Sequence, residues 1–148
     1  LVPTLVTYEA DAKYGPSFGW NEENSSKNAE VLSAGLTSLE NALSNNVNVG
    51  YGTDLCWSPK SYQGDGLLIH EKVCGAAEAL RHCTLNNARI VRMEGKIGEI
   101  TAGAHADLVV LDTNPLKSMN CFSQKSNSIV AVLQAGLPVR DDKLLFDW

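Results

Sequence analysis

The sequence predicts an α/β protein: a βαβα-like first part, residues 1–94, followed by a small antiparallel β piece, residues 95–148. Three observations carry this. Leu32, Leu36, Leu39 and Leu43 recur at helical spacing and form one apolar stripe. Val47, Val49 and Tyr51 alternate with Asn48, Gly50 and Gly52, which is strand spacing. From Gly95 onward short apolar runs alternate with turn residues, and the helical period is lost.

Taken in order, residues 1–8 read as a strand with Pro3 near its start, where a missing N–H is tolerated. Residues 9–25 read as a long loop carrying Tyr14, Phe18 and Trp20, which either wall a pocket or pin the loop to the body. Residues 26–45 form the predicted helix, and Asn45-Asn46 suits a left-handed C-cap. The strand at 47–51 follows and ends near Asp54. Residues 56–66 are a second long loop, and 67–73 a helical turn or two, interrupted by Cys74-Gly75. Residues 76–83 and 85–93 read as successive short helices, with Thr84 as N-cap of the second. Strands are predicted at 96–101, 106–111, 128–133 and 137–140, with a hairpin turn at Gln134-Ala135-Gly136.

Composition narrows the function. The chain has 148 residues, 44% hydrophobic and 20% charged, enough for one core. No apolar run approaches the roughly 20 residues of a membrane span. A net charge of −5 argues against nucleic acid, and the densest basic run, 89–96, is broken by Glu94. The four cysteines contain no C-x-x-C pair, so reduced, mostly buried thiols and a cytoplasmic location are expected. The apolar, strand-like start at Leu1-Val2-Pro3-Thr4-Leu5-Val6 leads us to expect a chain that begins inside a larger protein.

Several chemistries are excluded by their motifs. Gly50-Tyr51-Gly52 lacks the third glycine of a dinucleotide loop, since position 55 is Leu. There is no G-x-S-x-G elbow. His70 and Cys74 have the spacing to share a helix face, but no H-x-H or H-E-x-x-H is present, so His70, His82 and His105 read as ordinary surface or satisfied histidines. Asp54 stands apart. An acid directly after a buried strand, between Gly52-Thr53 and Leu55, is either a cap or a catalytic acid.

Four stretches occur in a telling order: Tyr51-Gly52-Thr53-Asp54-Leu55, then residues 77–88 (AEALRHCTLNNA), then 95–112 (GKIGEITAGAHADLVVLD), then Asn114-Pro115-Leu116. Together with Val2-Pro3-Thr4-Leu5 they resemble the C-terminal part of the amidohydrolase superfamily. The branch is that of imidazolonepropionase-like and prolidase-like metal-dependent hydrolases, including ochratoxin-hydrolysing ones. The resemblance implies the last two strand units of a (β/α)8 TIM barrel plus a portion of a small β-sandwich. It implies one or two divalent metals, commonly zinc, and a reaction that hydrolyses a C–N bond in an amide, peptide or cyclic amide. Asp54 is then the strand-eight acid, both metal ligand and proton shuttle. Tyr8, Trp57 and Tyr62 are placed to line a pocket for a small-molecule or dipeptide-like substrate, and a homo-oligomer is possible for the whole enzyme. Gly98, Gly103 and Asp107 serve turns and strand ends. The family's H-x-H, bridging lysine and other metal-binding histidines have no counterpart here. The isolated chain is therefore expected to bind no catalytic metal and to be inactive. The alternative is a non-catalytic folding or interaction module derived from such an enzyme.

Overall fold

The computed structural model describes residues 1–56, 60–143 and 145. Residues 1–4 belong to no helix or sheet strand, and the chain then turns into helix α1, Leu5–Tyr14. This corrects the strand expected over residues 1–8. Leu5 and Val6 are adjacent and both buried, at 4% and 1% exposure. A strand would send them to opposite faces, whereas a helix points both inward together with Ala10.

The predicted long loop shrinks accordingly. A 3-10 turn, Gly15–Phe18, follows α1, and the Trp20 ring lies against the backbone at Gly15. Trp20 thus pins the connection, while Phe18 stays exposed. Helix α2, Glu22–Ser44, starts four residues before the predicted helix. Asn21 caps it by accepting from the Asn24 N–H at 2.9 Å, and Glu22 and Glu23 suit the positive end of the helix dipole. It ends in a Schellman motif: Asn46 adopts φ 55°, Val47 N–H donates to Ala42 O at 2.9 Å and Asn46 N–H to Leu43 O at 3.0 Å. The leucine stripe packs as expected, with Leu39 fully buried and Leu32, Leu36 and Leu43 at its margins against Leu5, Val6, Ala10, Val49 and Ile69.

After a 3-10 turn, Lys60–Gly64, come α3, Asp65–Cys74, and α4, Ala76–Arg81. Helix α4 runs through a π turn, His82–Asn86, directly into α5, Asn87–Ile90. The two separate helices expected here are one continuous helical run. Thr84 is not an N-cap; its hydroxyl donates back to Leu80 O at 2.7 Å, within the run.

Leu67 and Ala79 pack with Met119 of a 3-10 turn, Met119–Phe122. Gly64 makes the tightest approach: a Cβ there lies 1.7 Å from Phe122 O. Gly64→Ala is therefore expected to destabilise the fold by about 1–3 kcal/mol, read as a lowered melting temperature. An unchanged melting temperature removes this docking from the account.

The β piece is a three-stranded antiparallel sheet in the order β1, Leu108–Leu111; β2, Ile129–Gln134; β3, Leu137–Asp141. Leu108 opposes Leu133 and Gln134 opposes Leu137. The hairpin between β2 and β3 turns on Ala135 and Gly136, at φ 51° and 81°, the positive pair of a two-residue turn. The strand expected at 96–101 is a series of turns. Ile97 and Ile100 are three apart rather than two, Gly95 and Gly98 take positive φ, and Ile100 is 91% exposed.

Candidate functional site

Residues 47–51 send their hydrogen bonds alternately to two edges, as an extended segment does, but they form no sheet strand, and the expected alternating burial is incomplete, with Val49 at 1% exposure and Val47 at 45%. Hydrogen bonds on both edges hold them. On one edge Leu1 N donates to Asn48 O at 2.9 Å and Gly50 N–H donates to Leu1 O at 2.8 Å, the pattern that brackets a residue in a parallel pair. On the other edge Asn86 Nδ2 donates to Val49 O at 2.8 Å. Asn87 meets Tyr51 twice, accepting from its N–H at 3.0 Å and donating to its carbonyl at 2.9 Å. The space left by Gly50 is filled by Asn87, whose Oδ1 lies 2.4 Å from where a Cβ would stand.

The segment leads into Asp54. Its backbone is left-handed, at φ 51°, a conformation that asparagine and aspartate tolerate better than other side chains. Such a residue costs on the order of 1–3 kcal/mol and persists where its surroundings determine it. Asp54 is exposed, and among the described residues its hydrogen-bond partner is the Cys56 thiol, with Sγ 3.5 Å from Oδ1. No described helix begins with Asp54 as its cap. The adjacent carboxylate, by hydrogen bond and by charge, raises the Cys56 thiol above its ordinary range.

Tyr8 is half-buried on α1, and its carbonyl accepts from Asn28 Nδ2 at 2.8 Å. Tyr62 is buried. Its hydroxyl accepts from Lys13 Nζ at 2.7 Å and its ring stands edge-on to Tyr14. Tyr62 and Lys13 line a cavity of about 330 Å³ with Lys72, Lys125, Ser123 and Gln124. Trp57 lies outside the described residues.

His105 is exposed, as expected, but the other two histidines depart from expectation. His70 on α3 and His82 at the π turn are buried, at 1% and 0% exposure, with their Nδ1 atoms 2.8 Å apart. One ring donates and the other accepts, so they hold opposite tautomers at this contact. Neither Nε2 has a hydrogen-bond partner among the described residues; Glu78 Oε1 is 3.6 Å from that of His82. Burial pushes His70 down to about 4, assisted by His82. His82 is lowered by burial too, against an opposing pull from Glu78. His70 and Cys74 do not converge as ligands, since Cys74 Sγ donates to the His70 carbonyl at 3.0 Å. A sequence signal for the histidine contact exists in hindsight: two histidines on the apolar sides of helices joined at the single residue Gly75.

Among the described residues, no group of three or more His, Cys, Asp or Glu side chains is placed to hold a metal ion. Asp54 offers one carboxylate, short of the four or so donors a zinc ion requires. The described side chains therefore do not amount to a metal centre by themselves.

Comparison with known proteins shows the family and the fold. Residues 7–139 match the Amidohydrolase family. A prolidase crystallised with N-methylphosphonate-L-proline is 42% identical, with a TM-score of 0.85 over 95% of this chain and 34% of its own. The ochratoxinase of A. niger, 23% identical, shares the fold with a TM-score of 0.73 over 96% of this chain and 32% of its own. A 5-methylthioadenosine/S-adenosylhomocysteine deaminase of Acetivibrio thermocellus is 29% identical over 133 residues, 77% of this chain and 31% of its length. The chain thus spans about a third of the length of these relatives. They imply an α/β fold related to the TIM barrel, in which this chain carries a small three-stranded antiparallel sheet.

Proposed function

Because the chain belongs to the amidohydrolase family, we propose that it is the C-terminal portion of a metal-dependent hydrolase that cleaves an amide, peptide or cyclic-amide C–N bond. Asp54 is its catalytic carboxylate. The observation that carries this reading is the placement of Asp54: exposed, left-handed, and at the end of an extended segment bonded along both edges. Residues 1–4 and 47–51, linked through Leu1 in parallel fashion, correspond in this reading to barrel strands seven and eight. Residues 1–94 then belong to the barrel and 95–148 to a sandwich portion.

A carboxylate in this position takes the proton from an attacking water and hands it to the leaving nitrogen. Asp54 also supplies one oxygen toward a divalent metal, for which we propose zinc, with the other donors lying outside the described residues. Likeness to a prolidase solved with a proline phosphonate supports a dipeptide-like substrate, and likeness to a deaminase supports hydrolysis of a C–N bond more generally. Tyr8, Trp57 and Tyr62 are proposed pocket residues. For Tyr62 the support is its cavity and its bond to Lys13.

The test uses size-exclusion chromatography, metal analysis and an Xaa-Pro hydrolysis assay on the 148-residue chain. We expect substoichiometric zinc and no turnover. Stoichiometric zinc with hydrolysis overturns the claim that further donors are needed. A second reading, a non-catalytic folding or interaction module, is favoured by one observation: the 47–51 segment is hydrogen-bonded along both edges within the chain. A monodisperse, stable, metal-free chain supports that reading, and aggregation supports the enzyme portion.

A further inference from the structure

The asparagines that close the second edge of the 47–51 segment come from an unusual place. Asn86 is the last residue of the π turn and Asn87 the first of α5. Normal helical winding separates adjacent side chains by about 100°, and here both reach the same backbone edge. A π turn inside a helical run is often found at functional sites. Three hydrogen bonds make the contact: Asn86 gives a donor to Val49 O, and Asn87 gives an acceptor and a donor to Tyr51. Asn86 is only 7% exposed, so its amide faces little competition from water.

The contact fixes both the position and the direction of the chain as it enters the Asp54 turn. Among the described residues, Tyr51 is the last one bonded on that edge, three before Asp54. Gly52, between them, is wedged against Val2, whose Cγ1 lies 2.8 Å from where a Cβ would stand. Among the described residues, the opposite edge is held through Leu1. We propose that Asn87, with Asn86 beside it, is a positioning residue that places the Asp54 carboxylate by clamping Tyr51. This rests on the catalytic reading of Asp54 given above. The asparagines act through the backbone and touch no reacting atom.

The experiment compares Asn87→Asp, Asn87→Leu and Asp54→Asn in the protein that carries this chain, with a Leu-Pro dipeptide as substrate. Aspartate keeps the acceptor for Tyr51 N–H and loses the donor; leucine loses both. The expected result is a graded fall in kcat, about tenfold for Asn87→Asp and about a hundredfold for Asn87→Leu, as misplacement of a reacting group produces. KM should stay within about twofold, because uniform substrate binding is untouched. Hydrogen exchange at residues 51–54 should quicken in the same order. If Asn87→Leu does not fold, the aspartate variant carries the comparison.

The outcomes separate the two ideas. Wild-type kcat in both Asn87 variants, beside a dead Asp54→Asn, overturns the positioning role and leaves the catalytic reading intact. Normal turnover by Asp54→Asn overturns both. A loss of kcat matched by a lowered melting temperature and a raised KM means a merely structural role and overturns the inference. If the wild-type protein leaves the dipeptide intact, unchanged exchange at residues 51–54 in Asn87→Leu overturns it, and faster exchange confined to those residues supports it.

Discussion

Replacing Asp54 by asparagine in the protein that carries this chain is expected to lower kcat by about 10²–10⁴-fold, the range general acid–base catalysis contributes. The fold should be unaffected, for reasons visible at the site. Asp54 is exposed, its partner among the described residues is the Cys56 thiol, and the substitution preserves its shape. Asparagine also tolerates the left-handed backbone at φ 51°. The variant therefore removes the charge and leaves the strain in place, which Asp54→Ala would not do. A loss of this size corresponds to about 3–5 kcal/mol of transition-state stabilisation. Circular dichroism and thermal melting should match the parent. Turnover near the parental rate defeats the assignment.

The same variant has a readout independent of activity. The carboxylate raises the Cys56 thiol by hydrogen bond and by charge. Removing the charge lowers that thiol toward its ordinary value and increases its thiolate fraction at neutral pH. Alkylation of Cys56 by iodoacetamide should therefore quicken in Asp54→Asn. Unchanged alkylation means that the contact between Cys56 and Asp54 does not persist in solution.

The second large effect is acid lability from the buried histidine pair. His70 titrates at about 4 in the folded chain, against roughly 6.5 when unfolded. Between those values the unfolded state binds more protons than the folded one, so stability falls as pH falls. The contribution is fully present above about pH 6.5 and is lost progressively toward pH 4, amounting to about 3 kcal/mol for His70. His82 works in the same direction, lowered by burial and only partly relieved by Glu78. The groups facing the pair offer little compensation. Tyr51 stands edge-on to His70 with its own hydroxyl raised by burial, and the Pro3 carbonyl opposes the His70 shift. Protonating both rings sets two N–H donors against each other across the 2.8 Å contact. The melting temperature should fall between pH 7 and pH 4.5, and His70→Gln should flatten that slope. A parent whose melting temperature is constant across this interval refutes the argument.

How much of this was legible beforehand depended on whether the signal was local. The leucine stripe of α2 reads directly because 3.6-residue winding puts Leu32, Leu36, Leu39 and Leu43 on one side. Asn46 marks its own left-handed cap, and Ala135-Gly136 its own hairpin turn. Residues 1–8 misled because Leu5 and Val6 sit beside an apolar, proline-containing start, and only packing against α2 reveals that both point inward. The π turn had no local signature. Thr84 was a plausible cap by residue type, but a continuous run with Leu80 O as acceptor left it no helix start to cap.

The candidate site divides along the same line. Sequence determined that one acid follows an alternating apolar segment, that Gly50 leaves room for something to approach, and that the motifs of residues 51–55, 77–88 and 95–112 belong to the amidohydrolase family. Tertiary structure decided what occupies that room, the Asn87 amide, and that His70 meets His82 across the break at Gly75. The physical reason is range. Periodicity and turn chemistry act over a few residues and are written in their order, whereas the contact from Asn87 to Tyr51 spans 36 positions and that from His70 to His82 spans 12. Contacts at those separations are chosen by the packing of whole helices.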